Sequence, residues 1–145
     1  MTNTISISFE LNTSNDQAEL GFEAWVDDEK FVDINHVPGQ QLIKIDMSDT
    51  DGEHTLKLIL KNKTAAHTKI DEQGNIMSDA TLTIADLAFD EIKLGHMLTE
   101  LATYTHHFNG TKELTEVKFY GEMGCNGTVG LKFTTPIYLW LLENM

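Results

Sequence analysis

The chain has 145 residues, 41% of them hydrophobic, and sets ten lysines and no arginine against 23 acidic residues, for a net charge of −13. This length suits one domain, residues 1–145, that buries about two-thirds of the surface its unfolded chain exposes. Sparse cations and the missing arginine fork exclude direct nucleic-acid binding, and no window approaches the roughly 18 apolar residues of a membrane span.

Ile5, Ile7, Phe9 and Leu11 alternate with Ser6, Ser8 and Glu10. A period of two places one face of a strand in a core. The polar run Asn12 to Gln17 ends it. Phe22 to Asp27, an acidic turn through Asp27, Asp28 and Glu29, and Lys30 to Ile34 read as a β-hairpin with a loop of about four residues. After the turn signal Val37-Pro38-Gly39, Leu42, Ile43, Ile45 and Met47 make another strand.

The turn Asp49-Thr50-Asp51-Gly52 leads into His54 to Leu60, with Leu56, Leu58 and Leu60 on one face. Residues 61–80 are polar, a connection long enough to be functional or to cross between sheets. Thr81 to Ala85 and Ala88 to Leu94 read as two further strands. Helical spacing occurs only around His96 to Tyr104, through Met97, Leu98, Leu101 and Tyr104. Val117 to Tyr120, Thr128 to Phe133 and, after Pro136, Ile137 to Leu142 complete a set of nine or ten short strands. Their number and turn spacing predict an all-β fold, an antiparallel β-sandwich of jelly-roll type.

Chemistry-bearing motifs are sparse. His54, His67, His96, His106 and His107 show no helical i, i+4 pairing beside a glutamate, so the zinc-protease pattern is absent. Asp46, Asp49, Asp51 and Glu53 offer the oxygen ligands of a calcium loop without the EF-hand spacing, and a plain turn before a strand is the simpler reading. Cys125 sits in Gly124-Cys125-Asn126-Gly127 without a basic partner, which leaves its thiol ordinary. As the only cysteine it excludes an intrachain disulfide. With no nucleophile elbow and no phosphate-binding loop, the expectation is a protein that is not an enzyme.

Aromatic residues are the remaining candidates. Trp25 opposes the parity of Phe22, Ala24 and Val26, and Tyr138 and Trp140 oppose Ile137, Leu139 and Leu141. Facing outward, they would stack on sugar or bury themselves between subunits; on a strand covered on both faces they would be core. Trp25, Tyr120, Tyr138 and Trp140 are therefore the ligand or interface candidates.

Asp51-Gly-Glu-His-Thr-Leu-Lys-Leu58, a long loop, and Leu87-Ala-Phe-Asp-Glu-Ile-Lys-Leu-Gly95 resemble the later strands of jelly-roll carbohydrate-binding modules of the small calcium-dependent type. The likeness covers about a third of the chain. It implies sugar stacked on Trp25 or Tyr120 and Ca2+ held by Asp49, Asp51 or Asp71. In place of that type's Asn-Asp loop and Arg-Asn-Leu run stand Asn62-Lys63-Thr64 and Ala80-Thr81-Leu82.

The acidic, arginine-free composition and the phrase His67-Thr-Lys-Ile-Asp-Glu-Gln-Gly-Asn75 are also similar in style to small structural proteins of tailed phages of marine bacteria. That resemblance implies a virion component that self-assembles, found in the virion or the host cytoplasm. The N-terminus, with neither a basic nor an apolar region, predicts no secretion signal. The leading expectation is thus a non-enzymatic structural or binding module forming oligomers, and the alternative is a calcium-assisted sugar binder.

Overall fold

A computed structural model of the chain describes residues 4–14, 20–37, 39–48, 52–62, 68–70, 72–73, 76–79, 81–95, 97–107, 114–123 and 126–144. The strands are β1 (Thr4–Thr13), β2 (Gly21–Val26), β3 (Glu29–Ile34), β4 (Gln40–Ser48), β5 (Gly52–Lys61), β6 (Thr68–Ile70), β7 (Ile76–Asp79), β8 (Leu82–Phe89), β9 (Ile92–Lys93), β10 (Thr103–His107), β11 (Leu114–Lys118), β12 (Glu122–Met123) and β13 (Gly127–Thr135). Two short helices, α1 (Met97–Leu101) and α2 (Ile137–Asn144), join them.

Two antiparallel sheets face each other. One runs β12-β8-β1-β4, with β9 also paired to β8, and the other runs β11-β10-β13-β5-β2-β3. Because the chain passes repeatedly from one sheet to the other, this is the β-sandwich that the strand pattern predicts. The two sheets hold eleven strands, against nine or ten expected. The polar crossover at 61–80 carries two more, β6 and β7, which form a hairpin of their own.

Period-two patterning builds the core. Ile5, Ile7, Phe9 and Leu11 from β1 and Ile43, Ile45 and Met47 from β4 meet Phe22, Ala24 and Val26 from β2, Leu56, Leu58 and Leu60 from β5, and Val129, Leu131 and Phe133 from β13. Each strand turns its alternate residues inward, so the two inner faces form one continuous apolar layer. Phe9 meets Phe22 edge to face across it, with ring centroids 5.8 Å apart.

Several local readings differ from the structure; the strand expected over Val117 to Tyr120, for one, is β11 and ends at Lys118. Thr81 to Leu94 is not two separate strands but one long strand, β8, followed by a tight hairpin to β9. Between Ile7↔Phe89 and Leu11↔Ile84 the β8 side has one extra residue, a bulge at which Asp86 takes φ 57°. The bulge returns Phe89 to the inner face, and the break in parity makes one strand look like two. The following turn has Asp90 and Glu91 at φ 50° and 70°, as a two-residue type I′ hairpin requires.

The hairpin loop between β2 and β3 is likewise two residues, Asp27 and Asp28, since Val26 pairs with Glu29. Helix α1 spans only Met97–Leu101, and Tyr104 belongs to β10.

The largest correction is at the C-terminal end. Ile137 to Leu142 is not a strand but lies in helix α2, begun just after Pro136, whose carbonyl accepts from the Leu139 and Trp140 N–H groups. A short unbroken apolar run fits strand or helix equally, and packing decides. Helical spacing puts Ile137, Trp140 and Leu141 inside. Trp140 rests edge-on to Phe89 and Phe133 at 5.8 and 6.3 Å.

Candidate functional site

The sequence candidates separate into three environments. Trp140, expected outward, is 6% exposed and is a core residue that carries no surface. Tyr138 is 53% exposed, but its hydroxyl donates to Asp90 Oδ2 at 3.1 Å. Asp90 Oδ1 in turn accepts from the Ser6 N–H at 2.8 Å, so Tyr138 ties α2 to the β8–β9 turn.

Trp25, on the outer side of β2, is half-buried. Its indole N–H donates to Glu23 Oε1 at 2.9 Å, and Lys30 lies over the ring at 5.7 Å. Lys61 bridges Glu23 and Asp33, and Asp33 also pairs with Lys30. The Trp25 indole N–H and then Lys61 hold the Glu23 carboxyl below its ordinary range. Asp33 is lowered by Lys61 and Lys30, and Lys61 is raised, first by Asp33 and then by Glu23. The network spans β2, β3 and β5 and fixes the ring against the sheet.

Tyr120 differs. Phe119 turns inward and stacks on Tyr104, while Tyr120 points outward with 77% of its surface exposed. It borders a cleft of about 220 Å³ whose wall holds Ile84, Leu87 and Leu98 and whose polar lining is Asp86, Lys93 and Thr99.

The cleft exists because the edge of this sheet is split. β12 pairs with Leu82 and Thr83, and the Gly121 carbonyl accepts from Ile84 N–H. β9 pairs with Ala88 and Phe89, and Leu94 N–H donates to the Leu87 carbonyl. Neither short strand pairs with Ala85 or Asp86, and the bulge swings Asp86 into the gap. Bulges of this kind re-aim side chains at sites. Gly121, at φ 102°, turns the chain at the lip beside Tyr120, a conformation any side chain would strain.

Asp86 Oδ1 and Lys93 Nζ are 3.6 Å apart and well exposed. So long an exposed pair adds little stability, which leaves both groups available to a ligand. Tyr120, Asp86, Lys93 and Thr99 line one small space beside apolar Ile84, Leu87 and Leu98, and a ligand pocket joins an apolar or aromatic wall to a few polar groups in this way. The volume is below the 300 Å³ or so of drug-sized sites and suits a single ring.

A third cluster links Asp27, His54 and Thr135. His54 Nδ1 lies 2.7 Å from Asp27 Oδ2, and Nε2 lies 3.4 Å from Thr135 Oγ1. The order is that of an acid–base–nucleophile relay, but Thr135 is 6% exposed and its hydroxyl also donates to the Gly52 carbonyl. The cluster ties the β2–β3 tip to β5 and β13. Burial pushes the Asp27 carboxyl up, but the hydrogen bonds from His54 and the Thr55 N–H outweigh it, and the group sits below its ordinary range.

The metal candidates Asp49, Asp51 and Asp71 lie outside the described residues, as do His67, His96 and Cys125. Asp46 and Glu53, which flank the first two, are exposed on β4 and β5. Among the described residues no group of three or more His, Cys, Asp or Glu side chains is arranged to hold a metal. Likewise among them, no helix is long and apolar enough to cross a membrane.

Reading the sequence identified Tyr120 but missed Asp86, Lys93 and Thr99. The one signal for Asp86 was the parity break between Ile84 and Leu87, which looked like a gap between strands.

No protein-family model matches the sequence, and no curated protein matches it either. Among solved structures, the fold is similar to that of vCBM60 in complex with galactobiose, with a TM-score of 0.53 and 10% identity over 87% of this chain and 96% of that one. At that identity the likeness is one of fold.

Proposed function

We infer that this protein is a non-enzymatic binding module that holds a neutral sugar ring in the cleft beside Tyr120. The observation that carries the reading is the convergence of an exposed aromatic face with Asp86, Lys93 and Thr99 at the split sheet edge. The apolar face of a sugar covers the Tyr120 ring, Asp86 accepts from its hydroxyls, and Lys93 and Thr99 bond its oxygens. A net charge of −13 repels sulfated or uronic chains and favours an uncharged ligand. The similar fold of vCBM60, in complex with galactobiose, supports a sugar as the ligand class. Calcium assistance through Asp49, Asp51 or Asp71 belongs to the same proposal. The alternative is a virion structural component; of the aromatics proposed for its interface, Trp140 is core, Trp25 and Tyr138 are hydrogen-bonded within the chain, and Tyr138 stays exposed.

Titration calorimetry with galactobiose and a panel of neutral disaccharides, with and without a chelator, tests the proposal. Saturable binding that Tyr120→Ala weakens about 30-fold, with the thermal transition unchanged, is the expected result. Absence of binding to every sugar in both conditions overturns it. Binding that Tyr120→Ala leaves unchanged moves the site elsewhere.

A further inference from the structure

The sheet that carries the cleft has a second edge of opposite character. There β4 runs nine residues, Gln40–Ser48, paired to β1 without a register shift from Thr4↔Ser48 to Asn12↔Gln40. Among the described residues no strand pairs with its outer side. The other edges are blunted. β9 and β12 have two residues each, β11 has five, and β3 pairs through a bulge at Ala24/Trp25. A long, flat, unbulged edge strand is a template for another strand.

The backbone fixes which groups are on offer. Thr13 N–H donates to the Gly39 carbonyl, so Thr13 and Gly39 form a hydrogen-bonded pair, and such pairs recur at every second residue. Gln41, Ile43, Ile45 and Met47 therefore bond to β1. Leu42, Lys44, Asp46 and Ser48 turn their N–H and C=O groups to the open edge, with side chains exposed on the outer face.

We propose that two copies of this chain pair through β4, antiparallel about a two-fold axis at Ile45. This register sets Lys44 opposite the partner's Asp46 and Asp46 opposite the partner's Lys44, with Leu42 facing the partner's Ser48. Lys44, Asp46, Leu42 and Ser48 then each exchange backbone hydrogen bonds across the axis. Ile45 meets its own copy on the core side. A shift by two residues in either strand sets Lys44 against Lys44 or Asp46 against Asp46. Directly opposed unlike charges stabilise and like charges destabilise, so the charges select one register.

The dimer joins the two sheets into one of eight strands across, β12-β8-β1-β4 and its mirror in order. Both clefts then lie at the far edges, seven strand spacings or roughly 34 Å apart. A bivalent sugar binder gains avidity on a surface that repeats its ligand. This last consequence rests on the cleft reading, whereas the dimer stands without it.

Sedimentation velocity over a micromolar to millimolar series, with no sugar present, tests the dimer. The intact chain should sediment as a dimer at the upper concentrations. Lys44→Asp and Asp46→Lys, each checked for fold by circular dichroism, should each weaken association about tenfold or more. The double variant, with the charges exchanged, should recover it. A monomer at every concentration overturns the proposal, and so does a dimer unaffected by both single changes or a double variant that does not recover.

Discussion

Trp25 and Tyr120 are both aromatic residues on the outside of a sandwich, yet they sit in opposite circumstances. Trp25 has its N–H held by Glu23, Lys30 over its ring, and Lys61 closing the network behind it. Tyr120 stands at a gap in a sheet edge with most of its ring in solvent. An aromatic whose polar atom and face already have partners within the chain stabilises the sheet. An aromatic standing over an open polar cleft is placed to meet a ligand. Exposure alone does not separate the two roles; the state of the neighbouring polar groups does.

Exchanging each ring for alanine should break the comparison in opposite directions. Tyr120→Ala should lower sugar affinity about 30-fold, near 2 kcal/mol, the scale of a lost aromatic anchor. Its urea midpoint should stay that of the native chain. Trp25→Ala should leave affinity alone and lower stability by about 2 kcal/mol, from lost packing and the lost hydrogen bond to Glu23, which keeps Lys61. If the two variants instead show the same profile in paired calorimetry and urea titrations, the division of roles is wrong.

A smaller effect sharpens the account of the cleft edge. Glu91 holds φ 70° in the β8–β9 turn, which costs a side chain about 1 kcal/mol that glycine does not suffer. Glu91→Gly should raise stability by up to about 1 kcal/mol without altering affinity, as read from thermal melts.

The smallest effect concerns acid. Glu23, Asp27 and Asp33 all have folded-state pKa values below their ordinary ones. The unfolded chain therefore takes up protons first as the pH drops. Their stabilisation is complete above the ordinary carboxylate range, near pH 4, and is lost as the pH falls through the folded values. Urea midpoints should decline below about pH 4, and less steeply in Glu23→Gln.

Much of the sandwich was legible in the chain. Alternation in Ile5 to Leu11 and in Leu56 to Leu60 needs no partner to be recognised, because the strand period is a property of the backbone. The failures share one cause. Ile137 to Leu142 has no polar alternation, so only docking against Phe89 and Phe133 selects the helix and buries Trp140. The bulge at Asp86 hid one long strand behind a break in parity. The site was less legible still. Tyr120 was identifiable as an aromatic beside a turn, but Asp86, Lys93 and Thr99 come from β8, β9 and α1 and converge only in three dimensions.

By itself the sequence determined a two-faced β chain with an acidic, arginine-free surface, since local period and composition require no distant contact. Tertiary structure alone decided which aromatics are available. Whether a ring is core, clamped or open depends on the groups that other strands bring beside it, and those are set by sheet order and register rather than by spacing along the chain.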